Sequence, residues 1–215
     1  MLIIFDLDDT LLDTSGAVTP FKMRACLKRM IENGARIPDM EQAYDDLMAL
    51  NQNSVRSSDA VLFFASKLGC SSANVLEELS APLPDGFLIP TTPDAQEILT
   101  YFQSKFILTL VTGGHAPFQM EKMKKAGLDC SVFSRIAIPE DSIKKPFYEN
   151  FLHEFSMTPQ QIWVCGDRVA MDLVPAYELG FKTIHMRWGR GKMGSSPDWV
   201  DYSISSLVEL KGIIR

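Results

Sequence analysis

The stretch Met1 to Thr10, "MLIIFDLDDT", decides how the chain is read. Residues 2–5 form a short run that is apolar on both faces, which suits an interior strand of a parallel sheet and not the alternating pattern of a half-exposed strand. The run stops at Asp6, and Asp6, Asp8 and Asp9 then place three carboxylates within four positions. Like charges so close must be solvated or neutralised.

Working outward, similar runs recur as "FILTLVT" at 106–112, "IWVCGD" at 162–167 and "KTIHM" at 182–186, with a weaker one, "SRIAI", at 134–138. Helical patterns that end in glycine lie between them, such as "FQMEKMKKAG" before "LDC" and "AMDLVPAYELG" before "FKTI". Helix, glycine, strand is the punctuation of βαβ units. The expectation is an α/β fold: an open, Rossmann-like parallel sheet with helices on both faces. Between about Thr14 and Pro84 the strand signal vanishes, and "PFKMRACLKRMIENG", "DMEQAYDDLMALNQ", "SSDAVLFFASKLG" and "SANVLEEL" read as helices. "TSGA" at 14–17 marks the entrance to this region, while "APLPDG" and "PTTP" mark its exits. We therefore expect a core of residues 1–14 and 85–215 interrupted by a helical insert, 15–84.

Composition narrows the function. With 215 residues, 46% hydrophobic and 22% charged, the chain has the make-up of an ordinary globular protein. A net charge of −6 supplies no broad positive field, which argues against nucleic acid or an anionic membrane as partner. A small anion in a local basic pocket remains compatible. "MLIIF" is too short for a signal peptide, and no run approaches the roughly 18 apolar residues of a membrane span. Cys26, Cys70, Cys130 and Cys165 stand far apart without a CxxC pair, so free thiols and a cytoplasmic setting are expected. His115, His153 and His185 are too scattered for a histidine metal site.

In open α/β sheets, ligands bind beyond the carboxyl ends of the strands. That rule selects Asp6, Asp8 and Thr10 after the first strand, Thr112, Gly113 and Gly114 after the second, and Gly166, Asp167 and Asp172 after "IWVCGD". Lys144 and Lys145 precede Pro146 in the loop between the latter two. Carboxylates from two strands with a hydroxyl and an ammonium suit a divalent cation and a phosphate, and the hard oxygen donors favour Mg2+.

Four of these clusters, "DLDDT", "LTLVTGG", "KKP" and "GDRVAMD", stand in order at strand ends, and here the sequence resembles the haloacid dehalogenase-like superfamily. The helical insert resembles the cap of the subfamily that includes phosphoglycolate phosphatases and β-phosphoglucomutase. The resemblance implies a Mg2+-dependent phosphatase acting on a small phosphorylated metabolite. Asp6 would be the nucleophile and a metal ligand, and Asp8 the general acid and base, starting protonated and lending its backbone carbonyl to the metal. Thr112, with the backbone of Gly113 and Gly114, would bind the phosphoryl oxygens. Lys145 is preferred over Lys144 as the neutralising cation because the family's lysine commonly precedes proline. Asp167 would hold the metal, and Asp172 would be either a further ligand or an anchor for metal-bound water. Asp9 reads as a turn residue.

The family also contains phosphomutases, which share the core, and phosphonatases, for which Lys67 would be the formal Schiff-base candidate. Haloacid dehalogenation needs neither Asp8 nor metal. A signalling receiver would carry its phosphorylated aspartate after a later strand, where this chain reads helical, and a non-catalytic binding protein would have no need of every motif residue. His115 reads as a capping or solvent-facing residue. Arg168 raises the question of substrate contacts. "RWGRGK" at 187–192 reads as a surface loop with Trp188 packed on the core, or else as a basic rim to the site.

Overall fold

The computed structural model describes residues 1–192 and 195–215. Six parallel strands form one sheet: β1 (Leu2–Phe5), β2 (Ile107–Val111), β3 (Arg135–Ala137), β4 (Ile162–Gly166), β5 (Lys182–Met186) and β6 (Tyr202–Ile204). Their order across the sheet is β3-β2-β1-β4-β5-β6. The five expected runs form β1 to β5. The sixth strand leaves little trace in the sequence, because "YSI" is only three residues long and two of them are exposed at the sheet edge.

Helices α1 (Thr14–Glu32), α2 (Met40–Asn53), α3 (Ser57–Lys67) and α4 (Glu77–Ser80) follow β1. The remaining ones are α5 (Ala95–Gln103), α6 (Ala116–Lys125), α7 (Lys145–Glu154), α8 (Val174–Glu178) and α9 (Leu210–Ile213). α6 and α8 stop just ahead of Gly127 and Gly180. α1 begins earlier than the helical run from Pro20 suggests: "TSGA", the entrance to the insert, is its first turn, and Asp9 caps it by accepting from the Ser15 amide at 2.7 Å.

Chain packing divides the molecule into an α/β unit, Met1–Ser15 with Asp85–Arg215, and a helical unit, Gly16–Pro84. In the α/β unit, β1 is wholly buried and pairs with β2 on one side and β4 on the other, so Phe5 stands level with Leu110 and Cys165. From β1 the sheet grows first through β2 and β3 and then in the opposite direction through β4 to β6. With right-handed crossovers this reversal puts helices on both faces and opens a crevice at the carboxyl ends of β1, β2 and β4. Leu2, Ile4, Val111, Tyr148, Phe151, Ile162, Val164 and Phe181 fill one side of the sheet.

The helical unit has its own interior, in which Met23, Leu27, Met30, Leu47, Val61 and Phe64 are buried together. α2 shows why it forms. Asp39 caps it by accepting from the amides of Glu41 and Gln42, each at 3.0 Å, and Ala43 and Leu47 recur one turn apart on its buried face.

Candidate active site

β1 delivers Asp6, whose amide donates to the Cys165 carbonyl at 2.9 Å and so continues the sheet one residue past the strand. β4 delivers Asp167, and the π-helical turn Val169–Leu173 brings Asp172 back beneath the strand end. Gly166 makes that approach possible: a Cβ there would lie 2.5 Å from the Asp172 carboxylate. Carboxylate oxygens of Asp6, Asp167 and Asp172 all lie within 4.8 Å of one another, and all three residues are buried.

The cation among them is Lys144. Its Nζ donates to Asp6 Oδ1 and to Asp172 Oδ1, each at 2.5 Å. Lys145, which the sequence pattern favours, is turned outward and bonds Glu178 at 2.7 Å with 40% of its side chain exposed. The two residues stand at the N-terminus of α7, where successive side chains diverge by about 100° around the helix axis. Only one of them can face the carboxylates. Proline at 146 fits the first helical turn whichever lysine points inward, so it does not discriminate between them.

Three carboxylates and one ammonium leave the cluster short of positive charge. Burial, joined by the neighbouring Asp172 and Asp8, pushes the Asp6 carboxyl up to about 7 despite the opposing Lys144. Burial, with Asp172 and Asp6, also pushes Asp167 well above the carboxylate range. Lys144 is buried too, which disfavours its charge, but Asp172 and Asp6 hold its pKa well above the ordinary lysine value. Buried hard oxygen donors that bind protons this readily fit a divalent cation such as Mg2+. Asp172 is partly committed already, since Oδ2 accepts from the Arg168 amide at 2.9 Å while Oδ1 accepts from Lys144.

Asp8 faces a different set of partners. Oδ1 accepts from Lys122 Nζ and from Thr14 Oγ1, each at 2.5 Å, and Oδ2 from Gln119 Nε2 at 3.1 Å. Burial would raise its pKa, yet Lys122 and these hydrogen bonds hold it below the usual carboxylate value. This corrects the expectation of a protonated resting Asp8: the neighbour that decides is the lysine, which favours the anion.

β2 delivers Thr112, buried at the strand end, and Gln119 Nε2 lies 2.7 Å from its Oγ1. At Gly113 a Cβ would meet the Ser142 side chain at 2.5 Å and its Cα at 2.9 Å, so only glycine lets the two loops approach this closely. The Gly114 amide donates to the Pro139 carbonyl at 3.0 Å and is therefore taken, contrary to its expected role toward phosphate.

Asp9 has a left-handed backbone, φ 58°, and bonds Ser15, consistent with turn chemistry. His115 is exposed at the start of α6. In the 187–192 loop, Trp188 Nε1 donates to Asp13 Oδ1 at 2.9 Å. Gly189 packs against the Asp9 carboxylate and Gly191 against the Asp167 carbonyl, which sets Arg190 between two of the site's loops. Gln119 and Lys122 are site residues that sequence reasoning missed altogether. The available signal was their i, i+3 spacing beside buried Met123, on a helix that starts directly after the Thr112 loop.

The profile of the haloacid dehalogenase-like hydrolases matches residues 3–186. The chain is 28% identical over 223 residues to the glyceraldehyde 3-phosphate phosphatase of Methanocaldococcus jannaschii, covering 99% of this chain and 96% of that one. It is 27% identical to the enzyme of the same name from Pyrococcus furiosus, covering 100% and 92% of the two chains. Among solved structures, YfnB from Bacillus subtilis, described as bound to magnesium, superposes with a TM-score of 0.71 at 20% identity over 100% of this chain and 98% of its own. A HAD phosphatase from Thermococcus onnurineus gives 0.68 at 19% identity, covering 99% and 97%.

Proposed function

The chain belongs to the haloacid dehalogenase-like hydrolase family, and on that premise we propose that it is a Mg2+-dependent phosphatase of small phosphomonoesters working through an aspartyl-phosphate on Asp6. The observation that carries the reading is the convergence of Asp6, Asp167 and Asp172 around Lys144, with Asp8 and Thr112 on the adjoining loops. Relatives named glyceraldehyde 3-phosphate phosphatase make that three-carbon ester the first substrate to try.

Asp6, Asp167 and the carbonyl of Asp8 would hold Mg2+, with Asp172 as a further ligand or as an anchor for bound water. When bound, the ion offsets negative charge on the phosphoryl group and on the nucleophile. Lys144, in the role expected of Lys145, favours the ionised form of Asp6 against its burial and draws the phosphoryl group toward it. An Asp6 carboxylate oxygen forms a bond to phosphorus as the ester P–O bond breaks, and Asp8 gives a proton to the departing alkoxide. Asp8 takes up that proton from solvent water as the phosphoryl anion approaches, since a like charge raises its pKa against the pull of Lys122. Water then attacks phosphorus, Asp8 takes its proton, and the bond to Asp6 breaks to release phosphate. Thr112 and the loop at Gly113 hold the phosphoryl oxygens.

The helical unit, Gly16–Pro84, is read as a substrate-selecting cap because the chain enters it only a few residues after Asp8. Four free thiols fit a reducing, cytoplasmic setting, and among the described residues no helix is long and apolar enough to cross a membrane. The test is phosphate release from a set of small phosphomonoesters led by glyceraldehyde 3-phosphate, with Mg2+ or with chelator. Magnesium-dependent release is expected. No release from any ester would overturn the reading.

A further inference from the structure

Gln119 and Lys122 lie one turn apart on α6, and both are almost completely buried, at 2% and 3% exposure. Between them they supply a donor to each oxygen of Asp8, which fixes the plane of that carboxylate from one helix. Gln119 Nε2 also lies 2.7 Å from Thr112 Oγ1 and 2.7 Å from the Gly113 carbonyl. Nε2 has two hydrogens for these three acceptors, so the longer contact to Asp8 at 3.1 Å shares a hydrogen with a shorter one, and a flipped amide would set its oxygen against the Asp8 carboxylate and the Gly113 carbonyl, which determines the orientation of Gln119. Because the amide donates to Thr112 Oγ1, the threonine's own hydrogen is left to donate elsewhere.

Stability does not account for this arrangement. A buried lysine–carboxylate pair is a weak stabilising device compared with apolar packing. The far end of the same amide, Gln119 Oε1, is buried and has no hydrogen-bond partner among the described residues, which is unfavourable in itself. The α/β unit keeps an unsatisfied oxygen and a buried cation at a helix face that could have been filled with aliphatic side chains like Met123.

We propose that Lys122 and Gln119 are positioning residues: they hold the Asp8 carboxyl in line with the ester oxygen that leaves, and they aim the Thr112 hydroxyl at the phosphoryl group. The proposal rests on the phosphatase reading above and adds two residues to it. In the first half-reaction the Asp6–phosphorus bond forms, the ester P–O bond breaks and the Asp8 proton goes to the departing oxygen. With Asp8 misdirected, the departing oxygen must leave without that proton. An alkoxide does so poorly and 4-nitrophenolate does so readily, so the loss depends on the leaving group.

The experiment compares kcat/KM, which reports the steps up to departure of the leaving group, for glyceraldehyde 3-phosphate and 4-nitrophenyl phosphate at saturating Mg2+. Lys122→Met is expected to lower kcat/KM about 100-fold for the alkyl ester and less than about 5-fold for the aryl ester, with Lys122→Arg recovering part of the loss. Equal losses on both esters, or no loss on either, would overturn the positioning role. Circular dichroism checks folding. If Lys122→Met does not fold, Gln119→Leu is carried through the same pair of substrates, where a loss confined to the alkyl ester supports the role and equal or absent losses overturn it. A wild type that releases phosphate from neither of these esters nor from any other in the set above would overturn the phosphatase reading itself, a result distinct from an active wild type whose variants lose both activities in proportion.

Discussion

The two units of the molecule use burial in opposite ways. In the helical unit the interior is aliphatic and aromatic, and among the described residues only Lys22 and Asn51 are buried polar side chains there. In the α/β unit, Asp6, Asp167, Asp172, Lys144, Lys122 and Gln119 are all buried, clustered at the carboxyl ends of β1, β2 and β4 or on the helices that follow. Burying charge costs free energy unless it is paired, and here it is paired incompletely, with Asp6 and Asp167 pushed up by burial and by neighbouring carboxylates. One interior is arranged for stability alone. The other gives up some stability to keep a charged constellation in place.

The difference predicts that substitutions in the α/β cluster cost turnover and substitutions in the helical interior cost folding. Asp6→Asn should have the largest effect, lowering phosphate release by at least about a thousandfold while leaving the fold intact by circular dichroism. An Asp6→Asn protein that matched the wild type would remove the nucleophile from the reading. Next come the adjacent lysines. Lys144→Ala should lower kcat/KM by about 100-fold or more, because it removes the cation shared by Asp6 and Asp172, and Lys145→Ala should stay within about twofold. Equal losses at the two positions would break the assignment made from their geometry.

That pair of lysines also shows how far the sequence could be read. The sheet was legible because strands buried on both faces leave runs such as "LIIF" and "KTIHM", and because glycine stops follow the helices. The strand-end rule then picked out Asp6, Asp8, Thr112, Asp167 and Asp172 without knowledge of the helices' rotation. Lys144 against Lys145 depends on that rotation by one residue at a helix start, which no local pattern in "KKP" encodes. Gln119 and Lys122 escaped because a polar residue on a helix reads as solvated, and only the packing of α6 against the site reverses that. The edge strand "YSI" was too short and too exposed to leave a periodic signal.

On the other side of the comparison, Leu47→Ala in α2 should destabilise the protein by about 2–5 kcal/mol, since Leu47 is fully buried and its loss leaves a cavity. Urea unfolding followed by circular dichroism measures this. If the folded fraction of the variant keeps its kcat on 4-nitrophenyl phosphate, the division of labour between the units stands. A lost kcat in fully folded protein would mean that this interior also serves the chemistry.

The smallest effect is expected at an aspartate outside the cluster, where a carboxylate of the α/β unit serves the fold instead of the site. Asp201 accepts from the Thr183 amide at 2.9 Å and from Lys182 Nζ at 3.0 Å, tying the segment ahead of β6 to β5. Burial would raise its pKa, but those hydrogen bonds and the lysine hold it below the usual carboxylate value, the reverse of Asp6 and Asp167. A carboxyl with a lowered folded-state pKa adds stability that is complete above its unfolded value, about 3.9, and is lost as the pH falls through the folded one. Asp201→Asn should therefore lower the melting temperature by a few degrees at pH 7, and the two proteins should converge as the pH is taken toward 3. A gap that stayed constant across that range would show that Asp201 acts through the shape of its hydrogen bonds and not through its charge. A gap that widened in acid would reverse the sign of its pKa shift and place it with Asp6 and Asp167.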